Sequence, residues 1–215
     1  MQSAENDVTE LNALVSAIHC AKQAQPTHVL LVGISGIDGS GKSFIAQKLA
    51  AELESSGLPA ALIGLDPWRT APEIRFQNVN SGEHFYRHAY RFDELYSQLI
   101  DPLKRDGDIS LAANILERDG SSSTLHYKFE AVQVVLLEGI FLFKREMQTR
   151  FDLRVWIDCS FKTALKRALK RNQEGVSIEQ LTHDYNKVYR PAQEFHLHRD
   201  NPVNTAHIRI ENEVY

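Results

Sequence analysis

Apolar residues recur along the chain with two periods. Between Val8 and Ala24, Leu11, Leu14, Val15 and Ile18 fall at helical spacing and Pro26 closes the stretch, which predicts an N-terminal amphipathic helix within residues 1–25. Unbroken apolar runs of strand length follow at 28–34 (HVLLVGI), 60–65, 132–137 (VQVVLL), 153–157 (LRVWI) and, more weakly, 207–210. Helical patterns separate most of them, notably 44–53, 93–105 and 161–171. Strands apolar on both faces that alternate with helices predict an α/β fold of three layers, a mainly parallel five-stranded sheet with helices over both faces. Two stretches interrupt this rhythm. Residues 67–90 predict a long irregular loop dense in aromatics and cations, and 107–128, with its GSSST run, predicts either a β-ribbon or a flexible connection.

Composition narrows the class without naming any chemistry. At 215 residues, with 43% hydrophobic and 24% charged positions, the chain predicts one folded domain spanning 1–215. Lys plus Arg number 24 against 28 for Asp plus Glu, a net charge of −4 that argues against nucleic acid as a partner. Cys20 and Cys159 are the only cysteines, so neither a disulfide framework nor a cysteine-rich zinc site is expected. No apolar run approaches the roughly 18 residues of a membrane span. A cytoplasmic protein is the expectation, with a homo-oligomer left open.

Chemistry enters at Gly36-Ile37-Asp38-Gly39-Ser40-Gly41-Lys42-Ser43, which fits GxxxxGK[ST] directly after a predicted strand and directly before a helix that opens at Phe44. Glycines let the backbone curl into a nest of inward amides, and a helix N-terminus adds a favourable dipole for phosphate. Lys42 then reaches the β and γ phosphates, and the Ser43 hydroxyl is a magnesium ligand. A dinucleotide-binding G-x-G-x-x-G is excluded because no third glycine follows. Two acids sit at predicted strand ends, Asp66 after the second and Glu138 after VVLL, where open α/β sheets hold ligands and cations. A guanine-specific switch protein is excluded because Asn186-Lys187-Val188-Tyr189 lacks the acid of a base reader. Arg167 and Arg171 share one helical face, either as phosphate cover or as a solvated basic surface. His84 and His88 lack a third metal ligand at convincing spacing, His196 and His198 read as partly exposed polar residues, and Trp156, Phe161 and Leu165 read as core.

These segments, taken in order, carry a resemblance. GIDGSGKS, a strand ending in Asp66, YRFDELYSQLIDPLKRDG, LLEGIFLF, DLRVWIDCSFKTALKRALKRN, YRPAQEFHL and HIRIEN together resemble the uridine kinase and phosphoribulokinase family over most of residues 28–212. The resemblance implies a P-loop kinase sheet of order 2-3-1-4-5 with a helical lid at 161–190, ATP and Mg²⁺ as cofactors, and transfer to a hydroxyl of a small-molecule acceptor. It implies Lys42, Arg167 and Arg171 as catalytic cations and Asp66 as base. Ser43, Asp66 and Glu138 become the magnesium ligands. An acceptor-side insertion at 67–90 would contribute Trp68, Arg69, Tyr86 and Tyr90 to the substrate site, with Asp66, Arg91 and Tyr127 beside them. The chain departs from uridine kinases in two places. Asp66 is followed by Pro67-Trp68-Arg69 where they carry Asp-x-x-Tyr, and NILERDGSSSTLHYKFE lacks their P-x-Y-D-F element. Uridine, pantothenate and a sugar phosphate therefore all stand as acceptors, beside the rival reading of a nucleotide-binding regulator or weak ATPase.

Overall fold

The structure is a computed structural model that describes residues 2–117, 119–171 and 176–213, without the side chains of 2–8. Residues 172–175 of the expected lid and the ends of the expected 1–215 domain lie outside the described residues. The chain runs through α1 (Gln2–Ala24), β1 (Leu30–Gly36), α2 (Lys42–Ser55) and β2 (Ala60–Gly64). After α3 (Pro72–Arg75) and α4 (Ser81–His88) comes one longer helical stretch. It consists of α5 (Phe92–Leu95), a widened turn at Tyr96–Ile100 and α6 (Asp101–Asp106). Then follow β3 (Ile109–Leu116), β4 (Ser122–Phe129), β5 (Val134–Glu138), β6 (Leu153–Asp158), α7 (Phe161–Arg171), α8 (Ile178–Asp184), α9 (Arg190–Asp200), α10 (Pro202–Thr205) and β7 (Ile208–Glu211).

Five strands form one parallel sheet in the order β2-β5-β1-β6-β7. Counted within this sheet, the order is 2-3-1-4-5, as the resemblance implied. Both faces are buried, because alternate residues of each strand point to opposite sides. Leu30, Val32 and Ile34 join α1 and α2 in one core through Leu14, Ile18, Leu49 and Leu53. Leu31, Val135 and Leu137 join the opposite core, which holds Trp68, Leu99 and Phe143. Gly33 lacks a side chain for a packing reason: a Cβ there would stand 2.6 Å from the Phe143 ring. Register brings Ile34, Gly64 and Glu138 level at the C-terminal edge, so that strand ends and following loops share one crevice.

One alternative is settled and one expectation changes. Residues 107–128 contribute an antiparallel hairpin, β3 with β4, rather than a flexible connection. Residues 67–90 are not an irregular loop but a chain of short helical turns: Asp66–Trp68, α3 and α4. Pro72 opens α3 and Pro67 takes the second position of the Asp66–Trp68 turn, both within the first turn, where proline's missing N–H costs nothing. Segments this short hold too few apolar repeats to display a helical period, which is why the pattern was illegible. Packing stabilises them instead, through fully buried Trp68 and through Phe85 and Tyr86 of α4.

Candidate active site

The glycine loop joins β1 to α2. Gly39 and Gly41 have φ of 80° and 92°, a region open to glycine and strained for any other residue. Space is equally restrictive. A Cβ on Gly36 would meet the Ile157 carbonyl oxygen at 2.5 Å, and one on Gly39 would meet the Ala164 carbonyl oxygen at 2.5 Å. The Gly39 and Ser40 carbonyls are held by the Arg167 guanidinium at 3.3 and 3.2 Å, and Asn212 Nδ2 donates to the Ser40 carbonyl at 2.7 Å. Since α2 begins at Lys42, its first-turn amides, which have no partner within a helix, border the loop. Lys42 is only 9% exposed, yet it takes part in no hydrogen bond or ion pair among the described residues. A buried ammonium with no hydrogen bond or close ion pair is costly unless an anion completes it.

A cavity of about 330 Å³ opens from the loop toward α3 and α4. At its inner end Ser43 Oγ donates to Glu138 Oε2 at 3.1 Å. Burial pushes the Glu138 carboxyl above its ordinary value and Asp66 pushes it the same way, while Lys42 and Ser43 oppose them. Tyr90 Oη donates to Asp66 Oδ1 at 3.1 Å, and Arg69 Nε donates to the Asp66 carbonyl at 2.8 Å. Burial, reinforced by Asp66, holds the Tyr90 phenol protonated far above its usual range. Arg171 reaches Asp38 at 3.4 Å across the loop. One hydroxyl and two carboxylates at a common mouth are hard oxygen donors, and magnesium takes one or two carboxylates plus phosphate oxygens. The residues present therefore fit Mg²⁺ with a nucleotide phosphate chain.

Asp38, Lys42, Ser43, Asp66, Arg69, Tyr90, Glu138 and Arg171 all line this cavity. Four expected substrate contacts do not. Trp68 is fully buried and donates Nε1–H to Tyr127 Oη at 3.1 Å, which ties the first helical turn to the β3–β4 hairpin and withdraws both rings into the core. Tyr86 is buried behind the cavity and donates to Asp200 Oδ2 at 2.5 Å. Arg91 pairs with Glu94 at 2.6 Å and donates to the Asn114 carbonyl at 3.0 Å. Arg167 sits behind the loop, and Phe44 stands on its other flank, 60% exposed, with the Lys48 ammonium 4.5 Å from its ring centre. His196, expected at the surface, is 2% exposed and bonded to Asp200 at 2.7 Å, while His198 is exposed. The His84 and His88 rings lie 4.5 Å apart, and no trio of metal-ligating side chains occurs among the described residues.

Two polar residues went unread. Gln193 Oε1 accepts from the Asp38 amide at 2.5 Å and its Nε2 donates to the Tyr189 carbonyl at 2.9 Å, which fixes the loop from α9. Asn212 braces the loop from the end of β7. Both lie within the YRPAQEF and HIRIEN segments, but nothing in their local spacing marks an amide as a loop brace.

Comparison with known proteins agrees with this geometry. The chain is 28% identical over 169 residues to a uridine kinase of Proteus mirabilis, covering 75% of this chain and 78% of that one. A uridine kinase of Staphylococcus haemolyticus is 27% identical over 167 residues with the same coverage. Among solved structures, one titled "Structure of a Possible Uridine Kinase from Bacillus stearothermophilus" matches at TM-score 0.73 and 18% identity, over 98% of this chain and all of that one. The D-glycerate 3-kinase of Cryptococcus neoformans matches at TM-score 0.64 and 16% identity, over 86% of this chain and 87% of that one. The structural likenesses establish the P-loop kinase fold. The family model described as "Phosphoribulokinase / Uridine kinase family" matches residues 31–211, so the chain belongs to the phosphoribulokinase and uridine kinase family.

Proposed function

We propose that the chain is one cytoplasmic kinase module that uses ATP and Mg²⁺ to phosphorylate a hydroxyl of a small metabolite, with 67–90 as its acceptor side and 161–190 as its lid. The observation that carries this reading is Lys42, a buried ammonium without an ion pair inside a glycine loop. Bound MgATP supplies the transferable phosphoryl group. Lys42 and Arg171 neutralise charge on its phosphates, while Arg167 and Asn212 hold the loop's shape from behind. Ser43, Glu138 and Asp66 are oxygen donors for the cation. Asp66 accepts the acceptor hydroxyl's proton, oriented for that task by Tyr90 and Arg69.

Uridine kinases among the relatives support a nucleoside acceptor. A specific observation favours a second reading. Trp68, Tyr86 and Tyr127 are withdrawn into the core, whereas Arg69 and Arg75 line the cavity. Two guanidiniums suit an acceptor that already carries a carboxylate or phosphate.

Acceptor-stimulated ADP release, measured with uridine, cytidine, pantothenate and sugar phosphates, tests both readings. Lys42→Ala is expected to lower kcat by about 10²- to 10³-fold, the scale of removing one transition-state charge stabiliser. Asp66→Asn is expected to lower it by about 10²- to 10⁴-fold while ATP binding persists. Full activity of Asp66→Asn with the true acceptor would remove Asp66 as base. Absence of acceptor-stimulated release across the panel would favour a nucleotide-binding regulator.

A further inference from the structure

The family-matched segment begins at residue 31, so α1 lies outside it. Leu14 and Ile18 seat this helix firmly, since both are fully buried against α2 and the sheet with Leu49, Leu53 and Ile210 as neighbours in the same core. One turn earlier, Glu10 and Leu11 reach a shallow open depression on the flank of the glycine loop opposite the acceptor cavity. Phe44, Ile45 and Lys48 of α2 and the β7 end at Ile210 and Asn212 complete it.

Three observations define what fits there. Asn212 is shared: it lines the depression and bonds the Ser40 carbonyl of the loop, so the two sites are contiguous. Glu138, Asp66 and the acceptor cavity take the transferring end of a nucleotide on one flank, which directs the rest of the nucleotide past Ser43 and Phe44 to the other. The surface is apolar at Leu11, Phe44, Ile45 and Ile210, acidic at Glu10 and Glu211, and carries the Lys48 ammonium against the Phe44 ring. The apolar floor suits the face of a flat ring, and carboxylate oxygens at the rim can accept from N–H donors at its edge.

We propose that α1 forms one wall of the seat for the nucleotide's base, with Leu11 against the ring and Glu10 at its donor edge. The inference rests on the kinase reading for the presence of a nucleotide, and it adds a determinant of base affinity from outside the family segment. Lys42 and the loop amides bind the phosphates, and Leu11 acts only on the base. A phosphate chain without a base is therefore indifferent to α1.

Calorimetric titration of the full chain with MgATP and with magnesium tripolyphosphate separates these contributions. Leu11→Asp is expected to weaken ATP binding by about five-fold or more and to leave tripolyphosphate binding within about two-fold, a split that general unfolding would not produce. Glu10→Lys, at a half-buried rim position, is expected to weaken ATP in the same selective way and covers the case in which Leu11→Asp fails to fold. Asn12→Asp, one residue on and exposed, adds a charge away from the seat and is expected to change neither. Unchanged ATP affinity in Glu10→Lys and in folded Leu11→Asp, with the unaltered chain binding ATP, would overturn this proposal alone. Equal loss of ATP and tripolyphosphate in both variants would also overturn it. An unaltered chain that binds neither ligand would overturn the kinase reading and this one with it.

Discussion

Gly41 and Gly57 have nearly the same backbone, φ 92° and 79°, but different surroundings. A Cβ on Gly57 meets nothing within 4 Å, whereas one on Gly41 would stand 2.3 Å from Asn212 Nδ2 and displace the side chain that braces Ser40. Alanine at either position pays the left-handed strain of about 1–2 kcal/mol. Only Gly41→Ala also disturbs the loop. We expect Gly41→Ala to lose at least as much stability as Gly57→Ala in urea titration and alone to lose nucleotide affinity, by about ten-fold or more. Equal affinities would show that the loop tolerates the displaced amide. Single residues of this kind were legible in the sequence, because the GxxxxGK[ST] pattern is local and each position answers to its own neighbours. Trp68, Tyr86 and Tyr127 were not. Their direction is set by partners 59 to 114 residues away, and an aromatic beside arginines reads the same whether it faces a ligand or a core.

At the scale of elements, α7 is held from its first turn to its middle. Gly39 leaves no room for a Cβ before the Ala164 carbonyl, Arg167 donates to the loop and to the Asn212 carbonyl at 2.9 Å, and Glu213 caps the first turn. Its carboxylate accepts from Ser160 N at 2.7 Å, from Ser160 Oγ at 2.6 Å and from Thr163 Oγ1 at 2.8 Å. These hydrogen bonds hold the Glu213 carboxyl down to about 2. A depressed carboxyl contributes stability that is present above its unfolded value of about 4.3 and lost as pH falls toward 2. Glu213→Ala is expected to raise hydrogen exchange at neutral pH in the first turns of α7 and to leave β1 and β5 unchanged. Undiminished protection in α7 would make this cap incidental. The sequence predicted α7 itself at its observed bounds, since apolar Ala164 and Ala168 alternate with a basic face. The cap lies 53 residues downstream of Ser160, a pairing that only the sheet order creates.

For the whole molecule, the sheet was the most legible part and the polar network behind it the least. Apolar runs announce strands buried on both faces, whereas a buried His–Asp pair looks like any helical i, i+4 pair. In α9, Gln193 fixes the phosphate loop, and one turn on, His196 and Asp200 meet Tyr86 of α4, whose carbonyl accepts from Lys144 at 2.9 Å. The loop, α4 and the segment after β5 are thus joined through one buried cluster that must keep its charge state. Burial pushes His196 below its ordinary value against the pull of Asp200, and pushes Lys144 down to about 8. Burial opposes ionisation of Asp200, yet hydrogen bonds from His196, Tyr86 and the Arg145 amide hold it below the usual carboxylate range. As pH falls through about 6.5 the unfolded chain protonates this histidine while the folded chain resists, so the unfolded state binds more protons and stability declines. Asp200 adds a second decline lower down, through the carboxylate range. Burial pushes His88 and His207 the same way as His196, so His196→Gln removes only part of the upper slope. The urea midpoint of the unaltered chain is expected to fall between pH 7.5 and 5.5, and that of His196→Gln to fall less from a lower starting value. An identical fall in both would mean that the buried histidine takes up its proton without opposing the fold.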